Sequence, residues 1–123
     1  CDVIGVEADK SWWQSKYSPS MYLNKIIFVN ETNAVDIPSN YAILFCYFNN
    51  GNAFYDYVRR YSGRIMFIIG PDQGQNRCTD PLPFDSKLNE LGWRLSRARM
   101  LDNDRDYFTV YVRLKGQRNT IEF

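Results

Sequence analysis

Residues 42–71 read Ala-Ile-Leu-Phe-Cys-Tyr-Phe-Asn-Asn-Gly-Asn-Ala-Phe-Tyr-Asp-Tyr-Val-Arg-Arg-Tyr-Ser-Gly-Arg-Ile-Met-Phe-Ile-Ile-Gly-Pro. The apolar run at 42–48 has the length of a strand, and residues 65–69 have the same character. Continuous apolar runs without alternation suit strands covered on both faces. Between them Phe54, Tyr57, Val58 and Tyr61 fall at i, i+3, i+4 and i+7, one apolar stripe. That spacing predicts a helix over 52–62. Arg59 and Arg60 near its end suit the helix dipole, and Gly63 is placed as a C′ residue. Strand, Asn-rich turn, helix and strand make one βαβ unit. In open α/β sheets, ligands bind outside the carboxyl ends of the strands. The turn Asn49-Asn50-Gly51-Asn52 therefore lies where a site is expected.

Upstream, residues 2–9 read as a short buried strand ending in the acids Glu7 and Asp9. Residues 10–17 are polar and aromatic, with Trp12 and Trp13 adjacent. Ser18-Pro19-Ser20 is a break, residues 21–25 suit a helical turn, and 26–29 suit a second strand. Residues 30–40 form a loop.

Downstream, Gly70-Pro71-Asp72-Gln73-Gly74 reads as a turn, and a long loop carries Pro81 and Pro83. It offers backbone N–H groups but no dinucleotide or phosphate-loop fingerprint. Asp85 or Ser86 caps a short helix through Leu91, which Gly92 stops. Residues 93–100 mix polar and apolar types. Residues 107–115 alternate, with Phe108, Val110, Val112 and Leu114 on one face and Tyr107, Thr109, Tyr111 and Arg113 on the other. Residues 102–106 are a polar turn, so the two segments form a β-hairpin. Residues 116–123 are a tail or an edge. The expected order is β-β-β-α-β-α-β-β.

The 123 residues suffice for one domain with its own core. Hydrophobic residues at 45% argue against disorder. The expectation is a single α/β domain over residues 1–123, with a mixed, mostly parallel sheet, flanking helices and a C-terminal antiparallel hairpin. A net charge of +1 gives no general field for nucleic acid or an anionic membrane, and no DNA signature is present. No apolar run approaches a bilayer span, and residues 1–4 do not resemble a signal peptide. An intracellular protein is expected. The chain starts with Cys1 rather than Met, which points to a processed or excised segment.

Three cysteines argue against a disulfide framework, and Cys46 reads as a small buried hydrophobe. The absence of histidine removes Ser-His and Cys-His catalysis and most zinc geometries. Asp102-Asn103-Asp104-Arg105-Asp106 lacks the Gly and distal Glu of a calcium loop, so a tight turn and no metal are expected. Asn30-Glu31-Thr32 is a glycosylation sequon that matters only in a secreted protein.

The element order, with Glu7 ending a strand and Asn49-Asn50 ending another, is similar to the C-terminal two-thirds of the class I S-adenosylmethionine-dependent methyltransferases. The resemblance implies a reduced Rossmann-like architecture. In that family the second strand ends in an acid on the cofactor ribose, and the fourth ends in a catalytic turn, often Asn-Pro-Pro-Tyr. By position, residues 3–7 match the second strand, 26–29 the third, 42–48 the fourth and 65–69 the fifth, with the hairpin closing the sheet. Glu7 and Asp9 are then implied as cofactor-binding residues, and Asn49 and Asn50 as catalytic ones. S-adenosylmethionine is the implied cofactor. Two departures matter. The family's first strand and its Gly-rich turn, which sits centrally between the second and fourth strands, have no counterpart. The turn at 47–52 also lacks Pro-Pro. The chain is thus either the remainder after a lost N-terminal βα unit or a reduced relative.

Other residues suggest an interaction surface. One of the adjacent Trp12 and Trp13 suits a partner hot spot, against the reading in which both pack over a sheet edge. Arg94, Arg97 and Arg99, with Arg59, Arg60 and Arg64, suit a basic patch for RNA or protein, against a solvated face balanced by Asp102, Asp104 and Asp106. The expected function is a methyltransferase-like domain, reduced or inactive as this chain. The alternative is a non-catalytic interaction module for a protein or RNA partner. A metal-dependent hydrolase has no spaced carboxylate set to support it.

Overall fold

The computed structural model describes residues 2–7, 10–18, 23, 25–28, 37–74, 79–102 and 104–113. The expected helical turn at 21–25 and most of the loop at 30–40 fall largely outside them, as does the segment 114–123. The chain forms two compact units, Cys1–Asp36 and Ile37–Phe123.

In the first unit, β1 (Gly5–Glu7) and β2 (Ile26–Phe28) pair in parallel, Gly5 opposite Ile26 and Glu7 opposite Phe28. Between them α1 (Lys10–Trp13) is a single turn. Lys10 Nζ stands 5.9 Å from the Phe28 ring centroid. β1 is shorter than expected and not buried: Val6 is exposed, and Gly5 and Glu7 are half-buried. A two-stranded ribbon has too little surface to cover both of its faces.

The second unit holds β3 (Ile43–Cys46), α2 (Gly51–Arg60), β4 (Ile65–Pro71), α3 (Lys87–Glu90), β5 (Arg94–Met100) and β6 (Asp106–Val112). Its four-stranded sheet has the order β3-β4-β6-β5. β3 runs parallel to β4, and β6 runs antiparallel to both β4 and β5. The architecture is mixed α/β. The sheet is not mostly parallel, because the second strand of the hairpin, β6, inserts beside β4 and contributes two antiparallel pairs.

α2 forms where the periodicity places it. Asn50 is its N-cap, and the side-chain carbonyl accepts from Ala53 N–H at 3.1 Å. Phe54 and Val58 are fully buried against Phe45, Met66 and Ile68 of the sheet. Each such burial stabilises by roughly 1.5–3 kcal/mol. The helix ends at Tyr61, whose backbone turns extended while its N–H donates to Tyr57 O at 3.0 Å and Val58 O at 3.2 Å. Gly63 is not a left-handed cap. It is required because a Cβ there would run into the Tyr61 ring. That ring stacks on Trp93, centroids 6.1 Å apart, and Arg113 lies over Trp93 at 4.5 Å. α3 is one turn, with Asp85 Oδ1 accepting from Lys87 N–H at 3.0 Å and Gly92 following at φ 89°.

Among the described residues the core lies on one face of the sheet. Ile43 and Phe45 of β3, Met66 and Ile68 of β4, and Thr109 and Tyr111 of β6 point towards α2 and Trp93. The opposite side chains of β3 are uncovered: Leu44 is 55% exposed, and Cys46 is exposed with a free thiol. The expected two-sided cover of this strand and the buried Cys46 are both corrected. β3 is an edge strand with a helix over one face, and a strand apolar on both faces carries the same run of letters.

Candidate functional site

β3 leaves the sheet at Tyr47, whose φ of 50° puts a bulky residue in the left-handed region. Its N–H still donates to Ile69 O at 2.9 Å, holding the turn to the end of β4. Its hydroxyl donates to Asp106 Oδ2 at 2.5 Å. Asp106 is buried at the first position of β6, beside Pro71. Strain at one residue is thus held by bonds to two other strands.

The turn then meets the loop before α3. Asn49 and Asp80 form an isolated parallel bridge. Asp80 N–H donates to Phe48 O at 3.0 Å, and Asn50 N–H donates to Asp80 O at 3.2 Å. The Asp80-Pro81 peptide is cis, and the buried Thr79 hydroxyl donates to Pro81 O at 2.9 Å. Gly51 passes so close to Asp80 that a Cβ would run into the carboxylate. Asp80, Asp85 and Glu90 also gather near Tyr55. Burial first, and then these charges, push the Tyr55 phenol above its usual range.

Asn49, Asn50 and Asp80 are exposed. The Asn50 carbonyl is committed to the helix cap, which leaves its amide NH₂ as a donor. Asn49 keeps both an acceptor and a donor. With the Asp80 carboxylate alongside, the turn can hold and orient an amine or an amide at the carboxyl end of two parallel strands.

Asn49 and Asn50 therefore come together with Asp80, which the sequence reading missed. Glu7 ends β1 in the first unit, half-buried. Asp9 lies outside the described residues. Trp12 is 44% exposed on α1, and the Trp13 side chain lies outside the description. Arg97 and Arg99 are exposed on β5. Of the acids set against the basic patch, Asp106 is buried under Tyr47, and Asp102 and Asp104 sit at the hairpin turn. Arg60 pairs with Asp56 on its own helix at 3.5 Å. Tyr47, Asp80 and Asp106 carry no local signal in sequence, because their contacts span long loops.

Among the described residues, no group of three acidic or cysteine side chains is arranged to hold a metal ion. No described helix is long and apolar enough to cross a membrane. No known family, curated protein or solved structure matches the chain.

Proposed function

We propose that this chain is a methyltransferase-like domain with a reduced Rossmann-like architecture, in which Glu7 ends β1 of the first unit and the Asn49-Asn50 turn ends β3 of the second. Connectivity carries the reading. β1 and β2 pair in parallel, β3 and β4 pair in parallel around α2, and a hairpin closes the sheet through β6. Among the described residues β1 pairs with β2 alone, and β3 with β4 alone.

In this reading Glu7 accepts hydrogen bonds from the ribose hydroxyls of S-adenosylmethionine, which supplies an electrophilic methyl group when bound. The Asn49 carbonyl accepts from a substrate N–H, and the Asn50 amide and Asp80 complete the cradle. The residues fit the ribose end of the cofactor. They do not fit its methionine end, since the glycine preceding Gly51 in the chain is Gly5, inside β1. In this reading the chain by itself is a reduced or inactive relative. An intracellular setting belongs to the same reading.

Ultraviolet crosslinking of methyl-tritiated S-adenosylmethionine, followed by peptide mapping, tests it. Label on the peptides holding Glu7 or Asn49, lost in Glu7→Ala, supports the reading. Labelling no stronger than that of serum albumin removes it.

The second reading is a non-catalytic interaction module. It is favoured by Arg97 and Arg99, exposed without an ion-pair or hydrogen-bond partner among the described residues, and by the exposed Trp12.

A further inference from the structure

The face of the four-stranded sheet away from the described core is exposed at Leu44, Cys46 and Ile65 and half-buried at Phe67, Ile69, Phe108, Val110 and Val112. Lateral pairing places Leu44, Phe67 and Val110 in one row, and Cys46, Ile69 and Phe108 in the next. Ile65, 42% exposed, pairs with Val112 at the row's other end. The same register sets Arg94 beside Val112, Arg97 beside Val110 and Arg99 beside Phe108, so all three arginines border this face. None of them has an ion-pair or hydrogen-bond partner among the described residues. The face is apolar from β3 to β6 and cationic along β5.

We propose that this face docks an amphipathic helix of a partner protein, apolar along one stripe and acidic along the side that lies over β5. Sheets bury an apolar face against another layer, and a helix is one of the two layers that fit. The seven residues of β4 extend about 23 Å, which a helix of about 15 residues matches. The arginine row selects acidic side chains, since desolvating three unpaired guanidinium groups against anything neutral is costly.

A second copy fits poorly. A two-fold contact would set the arginine row over itself or over Leu44 and Cys46, with no acid to meet it. Single-stranded nucleic acid stacks its bases on exposed ring faces. Here Phe67 and Phe108 stack on each other, centroids 5.4 Å apart, and the most exposed residues, Leu44 and Ile65, are aliphatic.

The test uses the full chain and a synthetic Leu/Glu helix of about four turns, apolar on one stripe. Its Leu/Lys counterpart and a single-stranded oligouridine serve as competitors. Binding is read by fluorescence anisotropy, and Cys46 alkylation by peptide mapping. The Leu/Glu helix is expected to bind and to slow Cys46 alkylation. Arg97→Glu with Arg99→Glu should weaken it about tenfold or more, and the Leu/Lys helix should not bind. If the charge-reversed chain loses its native circular dichroism, Arg97→Gln with Arg99→Gln replaces it and should weaken binding in the same direction. Failure of the Leu/Glu helix to bind at about 1 mM overturns the proposal. So does equal binding of the Leu/Lys helix, indifference to the arginines, or an unprotected Cys46. Arginine-dependent capture of oligouridine without the helix would assign the face to nucleic acid instead. A dimer in sedimentation equilibrium that shields Cys46 would assign it to self-association.

Discussion

Tyr47 donates its hydroxyl to Asp106 at 2.5 Å, joining the exit of β3 to the start of β6 across 59 residues of chain. Asp106 is 1% exposed, and the phenol is one of its hydrogen-bond donors. Tyr47→Phe keeps the ring and strips that donor. It should destabilise the domain by about 1–3 kcal/mol, the usual cost of leaving a buried acceptor short of a partner. Urea unfolding, with an unchanged m-value, checks this. A loss near zero would show that Asp106 is satisfied without Tyr47.

Gly51 is the first residue of α2, where alanine would ordinarily be the better helix former. Its Cβ would meet the Asp80 carboxylate, the far end of an exposed side chain, so Gly51→Ala must displace that group and should forfeit the gain at a small net cost. In an Asp80→Ala background the same change should become neutral or stabilising. A thermal-melt double-mutant cycle reads the coupling, and additivity of the two changes would contradict the contact.

Arg113 is a buried cation held by shape. Its Nε donates to Gly63 O at 2.8 Å, an Nη donates to Tyr61 O, and its guanidinium faces Trp93. Lysine retains the charge but not the fork or the planar stack. Arg113→Lys should cost about 2–3 kcal/mol in urea unfolding, from lost charge-assisted bonds and stacking. A lysine variant as stable as the parent would mean that charge alone matters there.

Tyr111 donates to Pro83 O at 2.6 Å, and its phenol is pushed up to about 12, first by burial and then by the charge of Asp85. The unfolded phenol ionises near 10. Folding therefore favours the protonated form. Its contribution is fully present below pH 10 and is lost as pH rises from 10 towards 12, because the unfolded chain releases its proton first. Tyr55 and Tyr61 are shifted the same way, chiefly by burial. Stability measured against pH should be flat at neutral pH as far as these groups contribute, and should fall in that alkaline window. Tyr111→Phe should fall less steeply there. An equal slope in the variant would contradict the assignment.

Much of the fold was legible because it rests on local patterns. The stripe Phe54, Tyr57, Val58 and Tyr61 marks α2, and the alternation over 107–112 marks β6. Which face is covered was not legible. In β6 the residues facing the core are Thr109 and Tyr111, while the more apolar Phe108 and Val110 stand on the open side. Hydrophobicity therefore points the wrong way there, and it misassigned Cys46 for the same reason. At the site, Asn49 and Asn50 were visible from their place after a strand. Asp80 and Asp106 were not, since only the folded loop and the hairpin bring them to the turn.

The most direct test of the methyltransferase-like reading is calorimetric titration of the chain with S-adenosylhomocysteine, with Glu7→Ala as the control. The expected result is saturable binding that the variant loses, since in this reading Glu7 holds the ribose. No heat up to about 1 mM ligand, or binding that Glu7→Ala leaves unchanged, would contradict it.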